Sequence, residues 1–251
     1  MNTVTISLAV FLCMFVAALI GMLLRRILPE HHLSSETKDT VNLAMGFVAT
    51  MAALVLGLIV ASAKDSFDKQ SAGVTQMAAK IVYRDRLLAN YGTESAKVRE
   101  LYRRVVQHVT NRMWPDTNSG ESQLDPTASH TEALFIAIQS LEPKNELQKT
   151  VKDQAVATSL QLGEMRWLEY EQAATSATNE LIIILVFWLA VLFTSFNIFA
   201  PSNGTVVAAM MMGALSVAAA IFLILELRSP FDGIIQVPNT QFLDAIAHLG
   251  R

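Results

Sequence analysis

The segment GLIVASAKDSFDKQ, residues 57–70, is written half for lipid and half for water. Gly57 to Ala63 carry no charge, whereas Lys64, Asp65, Asp68 and Lys69 crowd the next six positions. Nothing between the halves stops a helix: there is no proline, no glycine-rich turn and no run of Asn or Ser. Lys64–Asp68 and Asp65–Lys69 stand four apart, the spacing at which opposite charges meet on one helix face, for about 0.3 kcal/mol a pair. The segment predicts a helix that leaves the bilayer without ending there.

The residues around it agree. Of 251 residues 52% are hydrophobic and only 16% charged, against roughly 25% charged in soluble domains. Residues 64–178 hold 14 of the 19 Lys and Arg and 15 of the 22 Asp and Glu. Outside that region four uncharged runs are long enough to cross a bilayer, which takes roughly 20 residues. They lie at about 4–24, 41–63, 181–200 and 205–225. The first has no basic leader and too long an apolar run for a cleaved signal, so it reads as a retained span. PSNG at 201–204 is too short to reach far and joins the third and fourth spans as a hairpin. Net charge is −3 without a long basic run, so nucleic acid is not an expected partner. The single Cys13 permits no intrachain disulfide.

Residues 64–178 read as helices throughout. Phe67, Val74, Ile81 and Leu88 recur every seven residues with Met77 and Tyr91 beside them, an apolar helical seam. Gly92 and Thr93 supply a stop and a new N-cap, and a second helix at about 94–113 carries Val98, Leu101, Val105 and Val109. A polar loop follows at 114–129, and Ser129 with Glu132 forms a capping box opening a third helix to about Leu141. After Pro143 a fourth helix places Leu147, Val151, Leu160, Trp167 and Leu168 on one side. Only Gly163 interrupts it, at about 1 kcal/mol, so it is expected to run on into the third span. The expected fold is an all-α membrane protein: four transmembrane helices, the second and third extended into a soluble helical bundle. The division is 1–63 for the first two spans, 64–178 for the bundle, 179–227 for the last two spans and 228–251 for a C-terminal tail. That tail breaks at Ser229-Pro230 and Asp232-Gly233 and closes with a short helix at 240–249.

Few residues point to chemistry. Ala49, Ala53, Gly57 and Ala61 repeat at four-residue spacing on the second span, with Gly46 and Thr50 alongside. Small residues so spaced let helices approach closely in lipid, and equally leave space beside a central passage in an oligomer. Glu30, His31, His32 and Glu36 gather before a helix capped by Ser34 and Ser35, but nothing else supplies the supporting shell of a metal site. No phosphate-binding loop, nucleophile elbow or catalytic triad is evident, so neither an enzyme nor a cofactor is expected. No acidic residue lies mid-span, which disfavours an ion-coupled transporter. Positive charge is dense in the 25–40 loop and more numerous in the 64–178 region, so charge alone leaves orientation open.

Three blocks carry a resemblance: HHLSSETKDTVNLAMGFVATMAALVLGLIVASAKDSFDKQ (31–70), AAKIVYRDRLLANYGTES (78–95) and ELRSPFDGII (226–235). Together they resemble the bacterial bestrophin-like membrane family, distantly similar to bestrophins, which are homopentameric anion channels with four spans per subunit. The resemblance implies a multi-pass protein of the bacterial inner membrane with a cytoplasmic bundle and a pore lined by the second span. Phe67-Asp68-Lys69 is similar to the end of that span in bestrophins, and Pro230-Phe231 to the sequence after their last span. On that alignment Ala53, Gly57 and Ala61 stand where bestrophins carry bulky apolar neck residues. The acidic calcium-binding run of animal bestrophins is absent, leaving Asp232, so calcium activation is not expected.

The expected function is thus a homo-oligomeric, pentameric channel conducting small inorganic anions passively. Thr50, Ala53, Gly57 and Ala61 would line the pore, with Lys64 at its mouth raising local anion concentration. The rival expectation is a membrane-anchored helical-bundle sensor or scaffold without a pore.

Overall fold

The computed structural model describes residues 3–115, 129–174, 179–201 and 203–250. Helix α1 spans Thr3–Ile27 and α2 spans Ser35–Tyr91. They are followed by α3 (Ala96–Met113), α4 (Ser129–Gln139), α5 (Glu146–Ala174), α6 (Asn179–Phe199), α7 (Gly204–Leu227) and α8 (Thr240–His248). No strand occurs among the described residues. Four of these helices, α1, α2, α6 and α7, are long and apolar enough to cross a membrane.

Helix α2 decides the architecture. Its 57 residues pass through Ala63 to Ser66 unbroken and run almost three times the roughly 20 that a bilayer needs. Ser34 caps its start, the Oγ accepting from the Thr37 amide at 3.3 Å. It ends at Gly92, whose φ of +114° lies where a β-carbon would clash. The next helix is not capped by Thr93 as expected: residues 93–95 form a 3-10 turn and Ser95 takes the cap position of α3. The buried Ser95 hydroxyl reaches back to the Leu88 and Gly92 carbonyls, closing the turn that Gly92 opens.

The chain divides into two units. One comprises residues 1–66 and 176–228, the other 67–175 and 229–251. In the first, α1 packs against both α6 and α7. Its buried face, Ser7, Val10, Met14, Ala17, Ala18 and Gly21, keeps small residues at the closest contacts. A β-carbon built on Gly21 would lie 2.2 Å from the Thr194 carbonyl oxygen, so only glycine lets α1 and α6 approach so closely. Thr194 Oγ1 bridges the same contact, lying 3.1 Å from the Ala17 carbonyl and 2.9 Å from that of Ala190. Arg25 donates from Nη1 to the Ala200 carbonyl at the end of α6. Asn203 caps α7, its Oδ1 accepting from the Val206 amide at 2.9 Å.

In the second unit the core includes Val74, Met77, Ile81, Leu88 and Tyr91 of α2 with Val98, Tyr102, Val105 and Val106 of α3. The seven-residue seam of α2 is therefore its core face, with Phe67 partly buried at one end. Helix α5 is oriented differently from the expectation. Leu147, Leu160, Trp167 and Leu168 are exposed, and only Val151 of the expected set is buried. The buried residues are Val151, Ala155, Thr158, Leu162 and Glu169, at intervals of four, three, four and seven residues. The large side chains misled because the inward stripe mixes Val151 and Leu162 with the small Ala155 and the polar Thr158 and Glu169. The expected continuity of α5 into α6 falls on residues 175–178, outside the described residues. The C-terminal segment folds onto this unit. Phe231, Val237, Phe242, Ala245 and Leu249 join its core, and Trp114 Nε1 donates to the Val237 carbonyl at 2.9 Å.

Candidate functional site

Helix α2 between Val41 and Ser66 presents three faces. Ala52, Ile59 and Ala63 are buried, at 2%, 3% and 5% exposure, and form one face. Thr50, Ala53, Gly57, Ala61 and Lys64 are all exposed and share a second face, three to four residues apart. Leu43, Phe47, Leu54 and Leu58 are exposed as well and form a third, bulky apolar face beside the small one. Only 11% of the apolar window of α2 is buried, against 33% for α1, so its own chain leaves this span mostly uncovered.

The glycines separate two uses of a small residue. Gly21 is pressed against α6, whereas Gly46 and Gly57 have no atom within 4 Å of where a β-carbon would sit. Contact between helices of one chain is therefore not what Gly46 and Gly57 serve. They leave a smooth, open strip along the helix. Thr50 adds little polarity to it, because its hydroxyl donates to the Gly46 carbonyl one turn back at 2.9 Å. That back-bond leaves the strip with helical backbone, methyl groups and one hydroxyl oxygen at its surface.

Charge enters where the apolar window ends. Lys64 is exposed at the last position of the strip, but Asp65 follows directly and Asp68 lies one turn further on the same face. With Lys69 the four charges sum to zero, so the attraction of Lys64 for an anion is local and opposed within one turn. Glu180 and Glu226 stand at the ends of α6 and α7, away from the middle of any span. Asp232, exposed in the bend after α7, has no second acidic residue within five positions in sequence.

The exposure of the bulky face beside the small one was not anticipated from the sequence. Its signal was present: Leu43, Phe47, Leu54 and Leu58 each sit one residue from a helical register of small residues. A family model described as "Bestrophin-like domain" matches residues 12–242, nearly the whole chain. No curated protein matches, and no solved structure does.

Proposed function

The chain belongs to the Bestrophin-like family, and we propose from that premise that copies of it assemble, as a pentamer, around a pore that conducts small inorganic anions passively. Thr50, Ala53, Gly57 and Ala61 of each copy line the pore and Lys64 marks its mouth. The observation that carries this reading is the open strip on α2: no atom lies within 4 Å of where a β-carbon on Gly57 would sit, whereas Gly21 of α1 is pressed against α6. A face of small residues costs nothing in packing if it borders water, and the bulky face beside it then supplies apolar surface for a neighbouring copy. The bundle is assigned to the cytoplasm of a bacterial cell and the spans to its inner membrane.

The test is halide flux from liposomes containing the purified protein. Gly57→Trp places an indole in the strip and is expected to lower flux at least tenfold, while Ala155→Gly in the bundle leaves conduction intact. Unchanged flux with Gly57→Trp would remove the strip from the pore. A reconstituted protein that assembles only to monomers or dimers and passes no halide would favour the rival reading, a membrane-anchored sensor or scaffold.

A further inference from the structure

Within the second unit, α2, α3, α4 and α5 enclose a cavity of about 440 Å³, inside the roughly 300–1,000 Å³ range of small-molecule sites. Its wall is mainly apolar, with Met77, Val106, Leu134 and Phe135 among the residues that line it. Gly163 accounts for part of the space. It stands mid-helix in α5, where glycine costs about 1 kcal/mol relative to alanine, and nothing lies within 4 Å of where its β-carbon would be. A residue that weakens its helix and packs against nothing here opens the cavity wall.

One buried charge faces this apolar space. Arg84 lines the cavity and is only 7% exposed. Its Nη1 donates to Ser159 Oγ at 3.0 Å, and its guanidinium carbon lies 4.1 Å above the Tyr102 ring centre. Its Nε–H has no acceptor among the described residues, and none of their carboxylates pairs with it. Arg99 in the same unit provides the contrast. There the Nε and Nη2 edge grips both oxygens of Asp85, at 2.9 and 2.8 Å. Arg84 has no such anion among the described residues, and its Nε–H is idle. A buried cation without an anion is costly, and a guanidinium edge matches one carboxylate in shape and charge.

The remaining charged groups on the wall do not answer Arg84. Glu132 and Glu164 are exposed, and Arg166 is partly buried with a partner of its own. Beside these charged groups the rim carries apolar surface, with Trp167 47% exposed. A ligand for this site therefore needs one negative head, an apolar body and no further polar group.

We propose that the cavity binds an amphiphilic monocarboxylate, a medium-chain fatty acid, with its carboxylate on the Arg84 guanidinium and its chain among Met77, Val106, Leu134 and Phe135. A phosphate dianion fits less well, since a single buried cation leaves one of its charges unmatched. The site is independent of the pore: either can fail without the other.

The test is calorimetric titration of the full chain in lipid nanodiscs, with decanoate as the probe and empty nanodiscs as the control for partition into lipid. Decanoate is expected to bind at least tenfold tighter than decanol, with affinity rising about fourfold for each methylene from octanoate to decanoate. Arg84→Met is expected to erase the preference for decanoate over decanol. Should that variant fail to fold, Gly163→Leu still tests the site, because the new side chain enters open space and is expected to abolish binding of both ligands. Heats equal to those of empty nanodiscs would overturn the proposal. So would tighter binding of decyl phosphate than of decanoate, or decanoate affinity unchanged by Gly163→Leu.

Discussion

At Glu169 a carboxyl group sits in the interior of the second unit, 6% exposed, with Oε2 lacking any partner among the described residues. Desolvation raises its pKa from 4.5 to about 7. The folded chain thus binds a proton that the unfolded chain releases, so stability falls as pH rises from about 4.5 to about 7 and levels off above. Glu169→Gln is expected to flatten that part of a thermal-unfolding profile recorded against pH; an unchanged slope would show that other groups set it. Gly73 makes room for this carboxyl, since a β-carbon there would lie 2.0 Å from Glu169 Oε1. Gly73→Ala is accordingly expected to destabilise the protein, and less so once Glu169 is shortened to alanine. Asp85 and Arg99 form an unequal pair: the aspartate side chain is 2% exposed and the arginine 19%. Removing the arginine strands a buried anion, so Arg99→Ala is expected to cost about 3 kcal/mol and more than Asp85→Asn. The reverse order in denaturant midpoints would contradict that assignment. None of these partnerships was legible in the sequence, because the partners of Asp85 stand 14 and 165 positions away.

The helices themselves were far more legible. The seam of Phe67, Val74, Ile81 and Leu88 was readable because bulky apolar residues at a regular period have one physical use in a water-facing helix. Helix α5 defeated the same reasoning. Its inward stripe contains Ala155, Thr158 and Glu169, while Leu147, Leu160, Trp167 and Leu168 point outward. Periodicity names an apolar face only when size and burial coincide, and on α5 they do not. Continuity of α2 was legible for the opposite reason: a helix persists where nothing breaks it, and residues 57–70 contain no breaker. Ser66→Pro, which removes a backbone donor mid-helix, is expected to cost about 3 kcal/mol or more. A thermal-unfolding midpoint unmoved by Ser66→Pro would mean that α2 is not helical there in the membrane.

For the whole molecule, the family was legible in three blocks of sequence, and the four spans in hydropathy alone. Which face of α2 its own chain leaves open was not, since spacing cannot tell a packed glycine such as Gly21 from an open one such as Gly57. Electrostatics at the proposed pore mouth also depends on neighbours. Lys64 acts against Asp65 and Asp68, so Lys64→Gln is expected to lower anion conductance only about two- to fivefold. The most direct measurement is halide flux from liposomes holding Gly57→Cys in a Cys13→Ser background, before and after a water-soluble thiol reagent. The open strip predicts that the reagent blocks flux at Gly57→Cys and spares Ile59→Cys, whose side chain is buried. Flux untouched at Gly57→Cys, or blocked equally at both positions, would contradict a pore lined by the small face of α2.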